Sequence, residues 1–520
     1  MDFSDFYNIS RATSEAYKVT ICTAGVVLAL IWQLPRLQEV MPSFGIKRRE
    51  VLLAAFVLVS TLNYFRWGPA ILVDRIDVYD QSHYYLNAKY FDELGYYDLY
   101  PAMLLVDREN GGPHFKKEGT IYLAQDETGH VKKPIMHGVR RGQWVKENKF
   151  SESQWLRFSH DTLHITRKER GWNSKLWRQM IQDHGYNGTT VWTLIAAPIA
   201  KIIPVEYIKL TCYFDVAMLL GAIYAVYWAY GATTAGWTWA FLMVTYSLRW
   251  PQVGWVFLRY DYLAALMVAM ALLRQGKHYW AGIFAGYSAV LRMFPAMWMY
   301  GPFAKGVAGL VQGKVNKPLL VFAGAFMLSA ATLQAGAVLR FGTEEVSVHF
   351  ENMRDHNDPM QLSSRRIGLA LALPFRGETM PKFIETERKV KIQEQKPLRY
   401  GLALLVMLAL GFGLRKRRDD EAFAIGFVVF FLLTTASYYY YASRVTLAML
   451  HASDLDKSTN RIGLAFIIGM ELFTNWAETN LPGHRIFLVG WLSWLMCAYI
   501  IFLCVAWIAE SFQQEDEPAS

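Results

Sequence analysis

The chain has 520 residues and a formal net charge of +9, and 53% of its residues are hydrophobic and 15% aromatic. A soluble protein of this length would divide into domains, each with an apolar core and a polar exterior. Apolar stretches of about 16 to 25 residues instead recur along the whole chain, the length that crosses about 30 Å of hydrocarbon. Because a lipid-exposed backbone must satisfy its own hydrogen bonds, the sequence predicts an all-α polytopic membrane protein.

The positive charge does not indicate a nucleic-acid partner. Its densest clusters, at 47–49 and 415–418, lie directly beside apolar stretches, where the positive-inside rule accounts for them. The four cysteines all fall within apolar stretches, which argues against a disulfide framework or a metal site of paired cysteines. We therefore expect membrane lipids, and no nucleic acid, among the partners.

The clear candidates for membrane spans are residues 19–34, 50–65, 188–203, 206–229, 318–338, 399–414, 421–437, 461–476 and 485–508. Three further stretches, 231–249, 253–273 and 278–304, contain glycine, charged residues or proline. In the last of these, Arg292 and Pro295 predict two short helices that meet at a break. We expect about 11–13 membrane segments in all, some of them broken or re-entrant.

This spacing divides the chain into four parts. They are an N-terminal segment with the first two spans (1–65), a large loop with an interfacial helix (66–187), a multi-span domain (188–510) and a tail (511–520). The loop of about 120 residues is far longer than an ordinary connection, so it is expected to carry structure or function.

Basic residues in the short connections predict the orientation. These connections share one side if 231–249 is re-entrant and 278–304 is a broken hairpin. They are 35–49, 201–205, 274–277, 305–317 and 415–418. The large loop, the 340–363 loop and a tyrosine cluster at 438–441 then face the opposite, non-cytoplasmic side. The count places the N-terminus outside only if 19–34 is a full span, so its side stays open.

Two aspartates, Asp77 and Asp80, lie near the start of the large loop. From Ser82 to Leu94, apolar residues recur at three- and four-residue spacing, which predicts an amphipathic helix at the membrane interface. A partly desolvated carboxylate at that position can act as a general base with a raised pKa. Alternatively, the two aspartates only cap the helix N-terminus.

Aromatic and charged residues mark further candidates. Tyr97 and Tyr100 form either an interfacial belt or a platform for a sugar ring. Arg259 and Asp261 are costly in an apolar segment, which favours a substrate site or an internal structural role equally. The guanidinium of Arg292 is suited to a phosphate at the bilayer edge, or its side chain snorkels to the interface.

A polar stretch near residue 350 contains His349, His356 and Arg365. Its histidines and acids could ligate a divalent cation, although no standard metal spacing is present, or the stretch is a solvated loop. The sequence also lacks a P-loop, a GxGxxG turn, an HExxH helix and a GxSxG elbow. Nucleotide hydrolysis, nucleotide redox chemistry and serine hydrolysis therefore have no basis in the sequence.

In their order along the chain, these stretches resemble the GT-C superfamily of integral membrane glycosyltransferases, closest to mannosyltransferases that use a polyprenol-phosphate-linked sugar. The family has an acidic residue early in its first large loop, followed by a tyrosine, small residues, a glycine and a terminal Leu-Tyr. The matching residues here are Asp80, Tyr84, Ala88, Gly95 and Leu99-Tyr100. A second match runs from Leu272 to Pro295, with Arg292 where a lysine usually stands. The resemblance covers 66–100 and 186–300, and leaves out 104–182.

The resemblance implies an inverting glycosyltransferase that moves a sugar from a polyprenyl-phosphate donor to a lipid or glycan acceptor at the non-cytoplasmic face of a bacterial plasma membrane. It makes Asp80 the general base, with Asp77 as the alternative. Tyr84, Tyr97 and Tyr100 are then expected to line the sugar or acceptor site. The remaining substrate-binding candidates are Arg259, Asp261, Arg292, His349, His356 and Arg365 or its neighbour Arg366. No cofactor is implied, and a divalent metal is compatible with the resemblance without being required.

Two other functions fit the same features. A transporter or flippase of a lipid-linked substrate shares the intramembrane charges and broken segments, although repeat symmetry between the halves is not visible in the sequence. A non-catalytic membrane subunit of an envelope complex would use 104–182 as its docking surface.

Overall fold

The computed structural model describes residues 8–42, 45–69, 71–73, 75–112, 121–126, 129–169, 179–183, 185–356, 366–377, 384–481 and 483–513. Within these residues, five helices are long and apolar enough to cross a membrane. They are Arg11–Ile31, Val205–Tyr230, Lys317–Arg354, Lys396–Lys416 and Arg485–Phe512. The chain is therefore an α-helical membrane protein.

The longest α-helices are Arg11–Ile31, Arg48–Tyr64, Tyr213–Tyr230, Lys317–His356, Lys396–Gly413, Ser458–Asn480 and Arg485–Gln513. Shorter helices lie between them: Leu99–Glu109, Ile135–Lys149, Glu152–Leu163, Thr190–Ile202, Ala232–Val244, Asp261–Arg274, His278–Arg292, Tyr300–Val311, Ile384–Glu394, Asp419–Ala424, Gly426–Leu433 and Val445–Ala452. In the described part of the chain, strands form three short antiparallel pairs: Val40–Met41 with Ile46–Lys47, Ile121–Asp126 with Gly129–Pro134, and Arg366–Ile367 with Ala436–Ser437.

Two glycines allow close packing between two helices of the bundle. A Cβ at Gly282 would lie 2.3 Å from the carbonyl oxygen of Phe322, and one at Gly286 would lie 2.5 Å from that of Phe326. Any larger side chain at these positions would collide with the neighbouring backbone. The His278–Arg292 helix therefore lies directly on the long Lys317–His356 helix, as small residues at four-residue spacing permit.

The predicted break after Arg292 is confirmed. The helix ends at Arg292, Met293 has a φ of +59°, and a 3₁₀ turn, Phe294–Met299, leads into the next helix. Proline at the second position of that turn cannot donate a hydrogen bond back into the first helix. The backbone therefore changes direction beside the Arg292 side chain.

Two predictions about the path of the chain are wrong. Lys201 forms an ion pair with Asp92 at 3.0 Å, so the basic 201–205 connection lies with the large loop and not with the other basic connections. The 231–249 stretch does not turn back: Thr234 donates to the carbonyl oxygen of Ala452, and the Tyr246 hydroxyl donates to Glu478. Ala452 precedes the Ser458–Asn480 helix and Glu478 lies near its C-terminal end, so the two contacts are at opposite ends of that helix. The first correction removes one predicted membrane crossing and the second adds one. The predicted side of every later connection is therefore unchanged.

Two predicted local structures also differ. The predicted 340–363 loop is helical as far as His356, with a bend at Gly342, whose φ is +87°. The predicted single helix from Ser82 to Leu94 is a π-helical turn, Ser82–Leu86, followed by two short α-helical pieces. Most of its side chains are buried on all sides. It is therefore part of the core, and has no broad exposed face of the kind an interfacial helix needs.

A fully buried ion pair ties the C-terminal helices to the rest of the bundle. Arg444 and Glu471 lie 2.8 Å apart, and neither side chain is exposed. Glu471 also accepts hydrogen bonds from the Thr245 hydroxyl and the Tyr246 amide, each at 2.9 Å. Each oxygen of this buried carboxylate therefore has a donor.

We expect Glu471→Ala to lower the free energy of unfolding by about 3–5 kcal/mol, because Arg444 would remain buried without its counter-charge. Denaturant unfolding of the purified protein in micelles measures this change. The control is Glu387→Ala, which removes an exposed partner of Lys391 and should leave the unfolding curve unchanged. Equal curves for the two variants would contradict the structural role of the buried pair.

Candidate functional site

The segment that carries Asp77 and Asp80 is held by its backbone. The Asp77 carboxylate accepts hydrogen bonds from the amides of Tyr79 and Asp80, and so caps the short Val78–Gln81 helix. The amide of Asp77 donates to the carbonyl oxygen of Trp255 at 2.9 Å. A π-helical turn follows directly, a feature common at functional sites. The two carboxylates therefore have different roles: Asp77 is bound by its own helix, and Asp80 points elsewhere.

Asp80 forms the central ion pair of the site. Its side chain is 4% exposed, and its Oδ2 accepts from the Arg259 guanidinium at 3.0 Å. Its Oδ1 accepts from the amide of Phe257 at 3.3 Å. Burial raises the pKa of Asp80 to about 6, and the charge of Arg259 opposes that rise. Asp80 is thus a carboxylate that exchanges its proton close to neutral pH.

Arg259 lies in a non-helical segment whose backbone conformation is fixed by its neighbours. Leu258 has a φ of +47°, a backbone conformation that is rare and energetically unfavourable for residues other than glycine. The buried carboxylate of Asp215 accepts from the amides of Arg259 and Tyr260, each at 2.8 Å. The next helix begins only at Asp261, so Arg259 precedes the apolar segment instead of lying within it.

The strained residue also links Arg259 to the second arginine of the site. The carbonyl oxygen of Leu258 accepts from the Trp192 indole at 2.8 Å and from the Arg292 guanidinium at 3.4 Å. The Nε of Arg292 is buried and has no hydrogen-bond partner among the described residues. Arg292 therefore keeps donor capacity for a group that the protein itself does not supply.

A cavity of about 290 Å³ lies beside Arg292, and we call it the arginine cavity. Arg292 and Arg366 supply its charges, and Asn187 supplies an amide. Hydroxyl groups of the 434–440 segment complete the polar part. The rest of the wall is apolar, from Leu291, Met293, Phe294, Met297, Met353 and Phe430. Two guanidinium groups beside an apolar wall match an anionic head attached to a hydrocarbon chain.

The structure brings Tyr84 to Arg292 and buries two other predicted site residues, His349 and Asp261. Tyr84 donates to the Oδ1 of Asn187 at 2.6 Å, and its ring lies 5.9 Å from the Arg292 guanidinium. His349 is 3% exposed, and neither of its ring nitrogens has a hydrogen-bond partner among the described residues. Asp261 accepts from the amide of Tyr262 at the start of its helix.

The other candidates either do not line the arginine cavity or fall outside the described residues. The Tyr100 hydroxyl bonds to His83 Nε2 at 2.6 Å, so Tyr100 has a buried partner within its own loop. Tyr97 is half-buried and does not line the cavity. The side chain of His356 and all of Arg365 fall outside the described residues.

The candidate residues chosen from the sequence did not include four contributors. Asp215 lies within a candidate span and shapes the Arg259 backbone, and an acidic residue in an apolar stretch was its signal. Asn187 bonds to Tyr84 from the end of the large loop. The ring of Tyr439 lies 4.6 Å from the Arg259 guanidinium, and its neighbour Tyr440 lines the arginine cavity. The tyrosine cluster is thus part of the site.

No protein-family model, curated protein or solved structure matches this chain. The resemblance to the GT-C superfamily therefore stays a prediction, carried by the residues quoted for it. Among the described residues, no three His, Cys, Asp or Glu side chains are grouped so that they could hold a metal ion.

We expect Arg259→Gln to raise the pKa of Asp80 above its value of about 6, because burial of the carboxylate would no longer be opposed by the adjacent charge. Difference infrared spectroscopy of the protonated carboxyl band measures the titration, and Asp80→Asn identifies the band. An unchanged midpoint in Arg259→Gln would show that the pair is not formed.

Proposed function

We propose that this chain is a membrane glycosyltransferase that moves a sugar from a polyprenyl-phosphate donor to a hydroxyl acceptor. The observation that carries the proposal is a buried carboxylate, Asp80, in a segment that bonds through Tyr84 to the wall of a cavity with two arginines and an apolar lining. The arginines suit the phosphate of the donor, and the apolar side chains suit the first units of its prenyl chain. Asp80 suits a general base because its pKa of about 6 lies near neutral pH.

The transfer follows from these groups. Asp80 accepts the proton of the acceptor hydroxyl while its oxygen attacks the anomeric carbon of the donor. The bond from that carbon to the phosphate oxygen breaks, and the electron pair leaves with the polyprenyl phosphate. The guanidinium groups of Arg292 and Arg366 stabilise the charge that develops on the leaving phosphate. A single displacement of this kind inverts the configuration at the anomeric carbon.

The neighbours of Asp80 fit this role. Arg259 holds the carboxylate in one orientation, and the Tyr439 ring covers Arg259 from the other side. Tyr84 lies four residues after Asp80 and bonds to Asn187 on the cavity wall. The π-helical turn that follows Asp80 is therefore tied to the proposed phosphate site by a direct hydrogen bond.

The arrangement of the helix ends supports a non-cytoplasmic site in a multi-pass protein. The basic connections at 274–278, 305 and 415–419 meet in one group, in which Asp419 binds both Lys305 and His278. The arginine cavity lies away from this group, because Arg292 ends the helix that begins at His278. Ser14, near the N-terminus, bonds to the carbonyl oxygen of Asn63, at the end of the helix from which the large loop starts. The positive-inside rule then puts the cavity, the loop and the N-terminus on the non-cytoplasmic side.

We expect Asp80→Asn to reduce transfer by about 10²–10⁴-fold, because asparagine cannot accept the proton. Labelled polyprenyl-phosphate sugars added to membranes that contain the protein measure this rate. The matched control is Asp77→Asn, three residues earlier, since asparagine caps a helix as well as aspartate does. Full transfer by Asp80→Asn would remove Asp80 as the base, and no transfer by the unsubstituted protein would favour a transporter or a non-catalytic subunit.

Transfer should fall as the pH drops through about 6, because protonated Asp80 cannot accept the acceptor proton. The negative charge of Asp77 helps to raise the pKa of Asp80, so Asp77→Asn should move the midpoint to lower pH. Both midpoints are measured from initial rates between about pH 5 and pH 8, with the donor at saturating concentration. A midpoint that does not move in Asp77→Asn would assign the profile to another group.

A further inference from the structure

Another cavity, of about 490 Å³, lies among the basic connections, and we call it the basic cavity. Its wall comes from the Tyr300–Val311 helix, the turn after it, the start of the Lys317–His356 helix and the Leu414–Lys416 turn. Lys305, in this wall, binds Asp419 at 2.6 Å, within the group of basic connections. The basic cavity therefore lies at the end of the bundle that the positive-inside rule makes cytoplasmic.

The charges that line the basic cavity are all positive among the described residues. Four cationic side chains line it, and no carboxylate does: Lys305, Lys314, Lys317 and Arg415. Asp419 neutralises Lys305. The other three cations form no ion pair within the described part of the chain. A phosphate group held among them would neutralise positive charge that the protein leaves unbalanced.

The turn that carries Lys314 is closed by its own backbone. The carbonyl oxygen of Gly309 accepts from the amide of Lys314 at 2.9 Å, and that of Leu310 accepts from the amide of Gly313 at 2.9 Å. Gly313 has a φ of +71°, the left-handed conformation with which such a turn ends a helix. None of these bonds uses the Lys314 side chain. Its replacement should therefore leave the turn intact.

The same turn occurs a second time at this end of the bundle. The sequence Gln-Gly-Lys is found at 275–277 as well as at 312–314. At 275–277, the lysine amide donates to the carbonyl oxygen of Leu272 at 2.9 Å, and the glycine amide donates to that of Leu273 at 3.0 Å. Lys277 is exposed, as is the lysine of the other turn, but it does not line the basic cavity. The two lysines thus differ in their relation to the cavity and share their backbone structure.

Apolar side chains lie beside the cations. Val315 and Pro318 line the basic cavity. Leu310, Val311 and Leu320, close to it along the chain, are exposed, Val311 to 82%. Exposed apolar side chains on a membrane helix contact acyl chains, so these cations lie where a lipid headgroup joins its hydrocarbon. Basic pockets between membrane helices on the cytoplasmic side are suited to the headgroups of anionic lipids.

We propose that the basic cavity binds the headgroup of an anionic phospholipid from the cytoplasmic leaflet. The lipid phosphate lies among Lys314, Lys317 and Arg415, and the acyl chains lie along the exposed apolar side chains of the two adjoining helices. This inference does not rest on the proposed sugar transfer, because it concerns a different cavity at the other end of the His278–Arg292 helix.

Native mass spectrometry of the purified full-length protein, released from dodecyl maltoside micelles, counts bound lipid and tests the inference. Phosphatidylglycerol is the anionic probe, and phosphatidylcholine with the same acyl chains is the zwitterionic control. We expect phosphatidylglycerol to bind more tightly than phosphatidylcholine. Lys314→Gln should weaken phosphatidylglycerol about tenfold, the effect of losing one charge-assisted hydrogen bond, and Lys314→Arg should retain binding.

Lys277→Gln is the matched control, because it removes the same charge from the same turn outside the basic cavity, and it should leave binding unchanged. Equal losses in Lys314→Gln and Lys277→Gln would assign binding to the general positive charge of this end and overturn the site. So would equal affinity for the two lipids, or full displacement of phosphatidylglycerol by an equal concentration of inorganic phosphate. Binding that appears only after Glu515→Gln, Asp516→Asn and Glu517→Gln are combined would assign the cavity to the acidic tail instead of to a lipid.

Discussion

The site depends on the cost of burying charge. A buried carboxylate or guanidinium needs a partner of opposite charge. Without one, the free-energy cost of removing the charge from water exceeds the gain from burying the neighbouring apolar groups. The protein meets this requirement with pairs of residues that are distant in sequence: Asp80 with Arg259, and Arg444 with Glu471. The two pairs differ in exposure: the side chain of Arg259 is 22% exposed, whereas Arg444 and Glu471 are both fully enclosed by protein.

The backbone near residue 258 converts this pairing into a defined geometry. The left-handed conformation of Leu258 aims its carbonyl oxygen at Trp192 and Arg292, and Asp215 holds the two amides that follow. Strain of this kind persists only where surrounding contacts fix it. The Asp80–Arg259 pair and the arginine cavity thus share one rigid segment, and the tyrosine run reaches both, with Tyr439 beside Arg259 and Tyr440 on the cavity wall.

Local patterns in the sequence predicted the helices and the break after Arg292, because apolar runs and proline act within a few residues. They also predicted Asp80, Arg259 and Arg292 as candidates, since charge beside apolar sequence is rare. The pairing of Asp80 with Arg259 joins residues 179 positions apart, and no local pattern contains it. The error at 201–205 has the same origin: Lys201 counts as a cytoplasmic charge until its ion pair with Asp92 is known.

The most direct test of this account is the stereochemistry of a single transfer. Purified protein in nanodiscs, supplied with polyprenyl-phosphate sugars labelled with ¹³C at the anomeric carbon and with a lipid or glycan acceptor, allows NMR to follow that carbon. We expect a new glycosidic bond of inverted configuration and stoichiometric release of polyprenyl phosphate. Retention of configuration, or recovery of every labelled donor intact, would contradict it.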